Sequence, residues 1–266
     1  MHNFDNNRFD SFFKDPKYQL LKNSLYSYLL RKRAIEKSLN EETPGLILEV
    51  GSGISPVTIN SERIVYADLS FEAMGLLKRT LKGGDYVVAD GADLPFKSNA
   101  FSHAICSEVL EHLENDRFML NEVNRILKRP AGCLILTLPH RKAYFANDDE
   151  LVAHYRRYEI REIVDRLDLL GLRTVQIKKV MGPVGKATMS LIAWIYGRFP
   201  RIGSTTRSNE GDARKRFENI LIAVIRWLNR CYCNFMWLEA QLVPLALAAV
   251  VLIKSFTAER DVKLYD

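Results

Sequence analysis

Five short apolar runs, separated by stretches of helical period, fill the middle of this 266-residue chain. They are Leu46–Val50, Arg63–Asp68, Tyr86–Asp90, His103–Cys106 and Cys133–Leu138. A strand with one wet face alternates apolar and polar residues. These runs are near-continuous, as strands covered on both faces are. Phe71–Lys82 and Asp116–Lys128 between them are amphipathic at helical spacing. Strands alternating with helical crossovers predict an α/β chain with a doubly wound, mostly parallel sheet. Ile160–Leu170 reads as a further helix stopped by Gly171, and Leu172–Val180 as a sixth strand. The Ser55–Ser61 crossover is too short for a full helix.

Both flanks differ from this middle. Phe4, Phe9, Phe12 and Phe13 precede a helix predicted over Pro16–Ser38, which Thr43-Pro44-Gly45 breaks. Beyond Val180, Ala187–Phe199 is apolar and a polar loop spans Gly203–Asp212. Arg214-Lys215-Arg216 then opens a helix with Phe217, Ile220, Leu221, Val224, Ile225 and Leu228 on one face. The expected organisation is a helical cap over 1–42, a core over 43–181, an amphipathic helical insertion over 182–247, and a last strand and tail over 248–266. The net charge of +6 belongs to the C-terminal part: residues 182–266 hold 12 Lys/Arg against 7 Asp/Glu, leaving 26 against 25 before them. Basic residues beside apolar helix faces, with Trp194, Trp227 and Trp237, predict peripheral membrane contact through 182–247. A homodimer seam would carry the same pattern. Leu242–Ile253 falls short of the roughly 20 residues a spanning helix needs. No basic segment followed by an apolar one opens the chain, which predicts a cytoplasmic protein at the inner face of the membrane. Cys106, Cys133, Cys231 and Cys233 lack zinc spacing and read as buried thiols, so no metal site is expected.

The residues that carry chemistry stand at strand ends. Glu49-Val50-Gly51-Ser52-Gly53 closes the first strand, where glycines let backbone approach a ligand. Pro56 stands where a dinucleotide fingerprint needs its third glycine, which argues against a pyrophosphate. Glu49 also disfavours phosphate and tolerates a cation. Asp68-Leu69 ends the second strand, where a carboxylate can accept from both ribose hydroxyls. Asp90-Gly91-Ala92 ends the third, with an acceptor for an adenine amino group. Ser107-Glu108-Val109-Leu110-Glu111-His112 follows the fourth. Each alone fits a blander reading: a tight turn for the glycines, a solvated strand end for Asp68, a structural carboxylate for Glu111. Together they describe one crevice.

In this order, Ile47–Gly53, Tyr66-Ala67-Asp68, Asp90–Phe96 and Glu108–His112 resemble the motifs of class I S-adenosylmethionine-dependent methyltransferases, in particular the type 11 domain. Arg125–Lys128 with Pro130-Ala131-Gly132 resembles that branch's turn before the fifth strand, with Ala131 where glycine is usual. The likeness covers Leu46–Val180 and a final strand near Ala248–Lys254. It implies a Rossmann-like sheet with an antiparallel last strand and S-adenosylmethionine as cofactor. Gly51, Ser52 and Gly53 would pack under the methionine portion, with Glu49 near its ammonium. Asp68 and Leu69 would hold the ribose, Asp90, Gly91 and Ala92 the adenine, and Ser107 and Glu108 the methionine end.

The sulfonium is already activated, so the protein's task is to hold the acceptor in line. A hydroxyl acceptor also needs a base. His154-Tyr155-Arg156-Arg157-Tyr158 resembles a stretch beside the acceptor crevice of related sugar and lipid methyltransferases, making His154 and Tyr158 the catalytic candidates. His112 and His140 compete with them. Arg156 and Arg157 read as surface charge or as partners of an acidic group. The expected acceptor is a small or lipid-linked molecule, a glycan hydroxyl first and a quinone ring carbon second. A nicotinamide oxidoreductase and a catalytically silent nucleoside-binding adaptor are the other readings. No base-flipping motif follows the fourth strand, so nucleic acid is disfavoured.

Overall fold

The computed structural model describes residues 25–41, 45–58, 63–198, 227, 229 and 231–258. The aromatic N-terminal start, the loop at 203–212 and the helix expected after Arg214 therefore lie outside the described residues, Trp227 apart. Seven strands form one sheet in the order β3-β2-β1-β4-β5-β7-β6. They are β1 (Ile47–Val50), β2 (Ile64–Asp68), β3 (Asp85–Val88), β4 (His103–Ser107), β5 (Cys133–Pro139), β6 (Leu172–Met181) and β7 (Val250–Thr257). The first five are parallel, and β7 runs antiparallel between β5 and β6. The expected architecture is present. One strand does not follow the burial expectation: β3 lies at a sheet edge and carries exposed and half-buried side chains, as does β6 at the other edge.

Successive side chains of a strand point to opposite faces, so each inner strand feeds two cores. Leu48, Val50, Ala104, Cys106, Leu134 and Leu136 face α3 (Asp116–Ile126) and α5 (Ile160–Leu169), meeting Met119, Leu120, Val123, Ile163 and Leu167. Ile47, Ile64, Tyr66, Ile105, Cys133 and Ile135 face α1 (Tyr26–Leu39) and α2 (Phe71–Thr80). Ser70 begins α2 by accepting from the Ala73 N–H, with Glu72 in its first turn and Lys78 and Arg79 in its last, as the helix dipole favours. Ala131, in the turn before β5, sits at φ +71°, in the left-handed region that glycine enters most easily.

Between β6 and β7 lie α6 (Pro183–Arg198), a helix seen over 231–242 and a short turn at Leu245–Leu247. The later helix buries Cys233, Met236 and Ala240. Phe235, Leu238 and Leu242 recur at helical spacing on its other side and are exposed, as are Leu191 and Trp194 on α6. Among the described residues no helix is long and apolar enough to cross a membrane. Cys231 is exposed, against the expectation of four buried thiols.

Candidate active site

In a sheet of this order the crossover direction reverses between β1 and β4, leaving a crevice beyond their C-terminal ends. The candidate residues meet along that edge. Gly51 (φ +72°) and Gly53 (φ +52°) turn the chain after β1. A Cβ on Gly51 would overlap Cγ2 of Val109, from the β4 turn, and lie 3.0 Å from its Cγ1. Backbone from β1 and side chain from β4 thus touch at the switch point. Asp68 Oδ2 accepts from the Gly53 N–H at 2.8 Å and Oδ1 from the Ser70 N–H at 2.9 Å. The β2 carboxylate thereby sets the glycine turn, beside the exposed Leu69. Asp90 Oδ1 accepts from the Ala92 N–H at 2.9 Å, folding the Asp90-Gly91-Ala92 turn tightly over Met119 and Val50.

At β4, Ser107 Oγ is 2.9 Å from Thr137 Oγ1, and Glu108 takes φ +56°. Ser52 Oγ, Ser55 Oγ and Glu108 Oε1 are buried with no hydrogen-bond partner. Orphaned polar atoms of this kind want a polar ligand. With the Gly51 cradle they fit the polar groups of an adenosyl-methionine ligand.

Glu49 is placed differently from the expectation. Its carboxylate accepts from the Val57 N–H (2.8 Å), the Thr58 N–H (3.0 Å) and the Thr58 hydroxyl. It staples the segment after the glycine turn instead of presenting itself to a ligand ammonium. Tyr28 Oη, from α1, donates to the Pro56 carbonyl and clamps the same segment. Burial pushes the Glu49 carboxyl up to about 7, opposed by the hydrogen bonds from Thr58 and Val57. A carboxyl raised in the folded state binds more protons there than when unfolded. Its contribution therefore favours folding below the ordinary carboxyl range, is lost as pH rises to about 7, and then levels off. Stability should accordingly fall by at most about 1.4 kcal/mol per pH unit across that window. Denaturant titrations at pH 5, 6, 7 and 8 should show this slope, and Glu49→Gln should flatten it.

The other wall is the loop from β5 to α5. A short helix α4 (Asn147–Leu151) carries Asp148 and Asp149, both buried. Asp149 accepts from His154 Nδ1 at 2.9 Å, from Arg157 Nε at 2.9 Å to each oxygen, and from Lys186 Nζ of α6 at 2.7 Å. Burial alone would raise its pKa; these donors outweigh burial and hold it well below the usual carboxylate range. Lys186 also bonds both oxygens of Asp148, and Asn147 and Ser190 tie α4 to α6 again. The sequence offered no sign of this network.

Arg157 is therefore not surface charge but the partner of an acidic group, Asp149: it is 4% exposed and its Nη1 donates to the His140 and Ala249 carbonyls. Tyr158 is also buried. Its hydroxyl donates to Asp116 at 2.7 Å, and burial with that carboxylate pushes its pKa up. A phenol so engaged cannot act as a base, so the catalytic expectation for Tyr158 gives way to a structural one. His140 is likewise committed, Nδ1 lying 2.7 Å from the Ala248 carbonyl. His154 Nδ1 is held by Asp149, and its Nε2 faces Glu111 Oε1 at 3.8 Å, beyond hydrogen-bond reach. His112 stacks edge-to-face on the His154 ring, with centroids 4.6 Å apart.

Comparison with known proteins bears on the domain and the fold. Residues 48–136 match the family described as a methyltransferase domain. An uncharacterized protein of Methanocaldococcus jannaschii is 25% identical over 155 residues, covering 56% of this chain and 74% of that protein. The demethylmenaquinone methyltransferase of Thermotoga maritima is 29% identical over 140 residues, covering 48% of this chain and 60% of its own length. Among solved structures, a chain from the complex between the Haloferax volcanii Trm112 methyltransferase activator and a methyltransferase superposes with a TM-score of 0.60 at 14% identity, covering 96% of this chain and 99% of that one. The seven-stranded sheet with its antiparallel β7 has the Rossmann-like methyltransferase fold. Residues 48–136 carry a class I S-adenosylmethionine-dependent methyltransferase domain of type 11.

Proposed function

We propose that this enzyme transfers the methyl group of S-adenosylmethionine to a small or lipid-linked acceptor, a glycan hydroxyl first, at a membrane surface. In this reading Gly51, Ser52, Gly53, Ser107 and Glu108 hold the methionine portion, Asp68 and Leu69 the ribose, and Asp90, Gly91 and Ala92 the adenine. His154 stands on the acceptor side. Asp149 fixes its ring, and Tyr155 N–H donates to the Glu111 carbonyl at 2.8 Å, tying that loop to the crevice edge. The cofactor supplies an activated methyl; the chain binds, orients and keeps water from the line of attack.

One observation carries the membrane reading. Lys186 pins α6, with its exposed Leu191 and Trp194, to the loop that holds His154. Apolar side chains exposed along a helix wired to an acceptor loop suit a lipid surface, and the basic excess of 182–266 suits anionic headgroups. A quinone ring carbon is the second reading, favoured by the relative named for demethylmenaquinone.

The test has two arms. Flotation with vesicles of anionic phospholipid should recover the full chain, and Leu238→Ser with Leu242→Ser should cut recovery about tenfold. Equal recovery would remove the membrane from the reading. Labelled S-adenosylmethionine incubated with lipid extracts should then give a labelled sugar methyl ether. Label on a quinone ring would select the second reading, and Asp68→Ala should abolish either product.

A further inference from the structure

Glu111, His112 and His154 come together from two segments that the fold brings into contact. Glu111 and His112 lie in the turn Leu110–His112 after β4, and His154 on the loop that follows α4. One carboxylate oxygen and one nitrogen from each ring lie within 4.8 Å of one another. Two features make this more than a chance cluster. Glu111 is fully buried, and neither of its carboxylate oxygens has a hydrogen-bond partner. His154 Nε2 points at one of those oxygens from 3.8 Å, while its Nδ1 is held by Asp149.

With the proton on Nδ1, Nε2 presents a lone pair to a carboxylate that also offers lone pairs. At 3.8 Å no hydrogen bond joins them, and neither Glu111 oxygen receives one from elsewhere. A shared proton would need them about 2.6–3.2 Å apart, closer than they are. A cation bridges longer spans: two ligands about 2.1 Å from one zinc ion at the tetrahedral angle stand ~3.4 Å apart.

We propose that Glu111, His112 and His154 form a binding site for a divalent transition metal ion, zinc-like in its preference for imidazole and carboxylate. Two imidazoles and one carboxylate suit a borderline cation better than magnesium or calcium. Three protein ligands leave an open position. The Asp149–His154 hydrogen bond is the carboxylate–histidine pairing that fixes a metal-binding ring. The ion would staple the β4 turn to the acceptor loop beside the crevice. In that state His154 is a ligand and not a base. This inference rests on the cluster alone and goes beyond the acceptor reading.

The test uses the full chain carrying Cys231→Ser, which removes the exposed thiol as a competing ligand. After chelator treatment and dialysis, the chain is titrated with Co²⁺ and with Zn²⁺. One equivalent of each is expected, with visible Co²⁺ absorption of a low-coordinate site and a zinc-dependent rise in melting temperature. Glu111→Gln and His112→Ala should each weaken Zn²⁺ binding about 100-fold and erase the zinc-dependent rise. If Glu111→Gln fails to fold, His112→Ala decides. Zn²⁺ bound no more tightly by the parent than by the folded variant would overturn the site. S-adenosylhomocysteine titrated into the metal-free parent separates the two readings: binding there with no metal binding sinks the site and leaves the methyltransferase assignment standing.

Discussion

A Gly51→Ala chain should lose about 3 kcal/mol of stability, and the folded fraction should bind S-adenosylhomocysteine about 100-fold more weakly. Two costs add at this residue. At φ +72° an L side chain crowds its own carbonyl, a penalty of about 1–2 kcal/mol. The new methyl would also overlap Val109 Cγ2 and press on Cγ1 at 3.0 Å, which in a packed site costs ~1–3 kcal/mol. Relief by moving the turn would break the Gly53 N–H bond to Asp68 and misplace the backbone on which the cofactor should lie. A displacement of about 1 Å there is enough for the expected loss of binding. The costs can be separated because Val109 contributes to one of them alone. Val109→Ala in the Gly51→Ala background should restore part of the stability, with a coupling of about 1–2 kcal/mol, and leave the backbone penalty. A Gly51→Ala chain that melts with the wild type and binds the ligand equally would show that the switch point does not shape the site.

The fold was legible because β1, β2, β4 and β5 are buried on both faces, and burial on both faces writes a continuous apolar run. β3 and β6 fit that rule less well for a topological reason: each has a neighbour on one side only, so water reaches their side chains. The crevice was legible for a related reason. Parallel strands end on one edge, so polar residues after successive runs must converge there. What stayed hidden was every contact between side chains far apart in sequence. Glu49 reads locally as a ligand carboxylate, and its partners Val57 and Thr58 appear when the chain turns back on itself. Arg157 reads as surface charge because its partners, Asp149 and the carbonyls of His140 and Ala249, come from other elements. Glu111 and His154 are 43 residues apart, and nothing in local spacing pairs them. A motif announces residues whose work is set by their own backbone. It is silent on residues whose work is set by what packs against them.

The largest single loss is expected at Asp149. Asp149→Ala should cost about 4 kcal/mol and lower the melting temperature by roughly 10 °C, because it strands two buried cations. Arg157, 4% exposed, and Lys186, 5% exposed, both lean on this carboxylate. Water cannot replace it at either charge, so the penalty is that of unpaired buried ions and exceeds that of an exposed salt bridge. Asp149→Asn separates charge from shape: it keeps the volume and one acceptor oxygen but cannot neutralise either cation. It should therefore retain most of the loss. Lys186 keeps Asp148 as a second anion, and Arg157 has two carbonyls, so neither cation is without all support. That places the expected value inside the range for broken buried pairs and not beyond it. The network also joins α6 to the acceptor loop, so the damage should spread beyond melting. In Asp149→Ala, His154 loses the acceptor that fixes its ring, and in Asp149→Asn it must share one oxygen with Arg157 and Lys186, so both should raise the KM for acceptor more than that for S-adenosylmethionine. If the alanine variant melts within a degree or two of the parent, the cations have found water, and the buried wiring between α6 and the acceptor loop does not hold the two together.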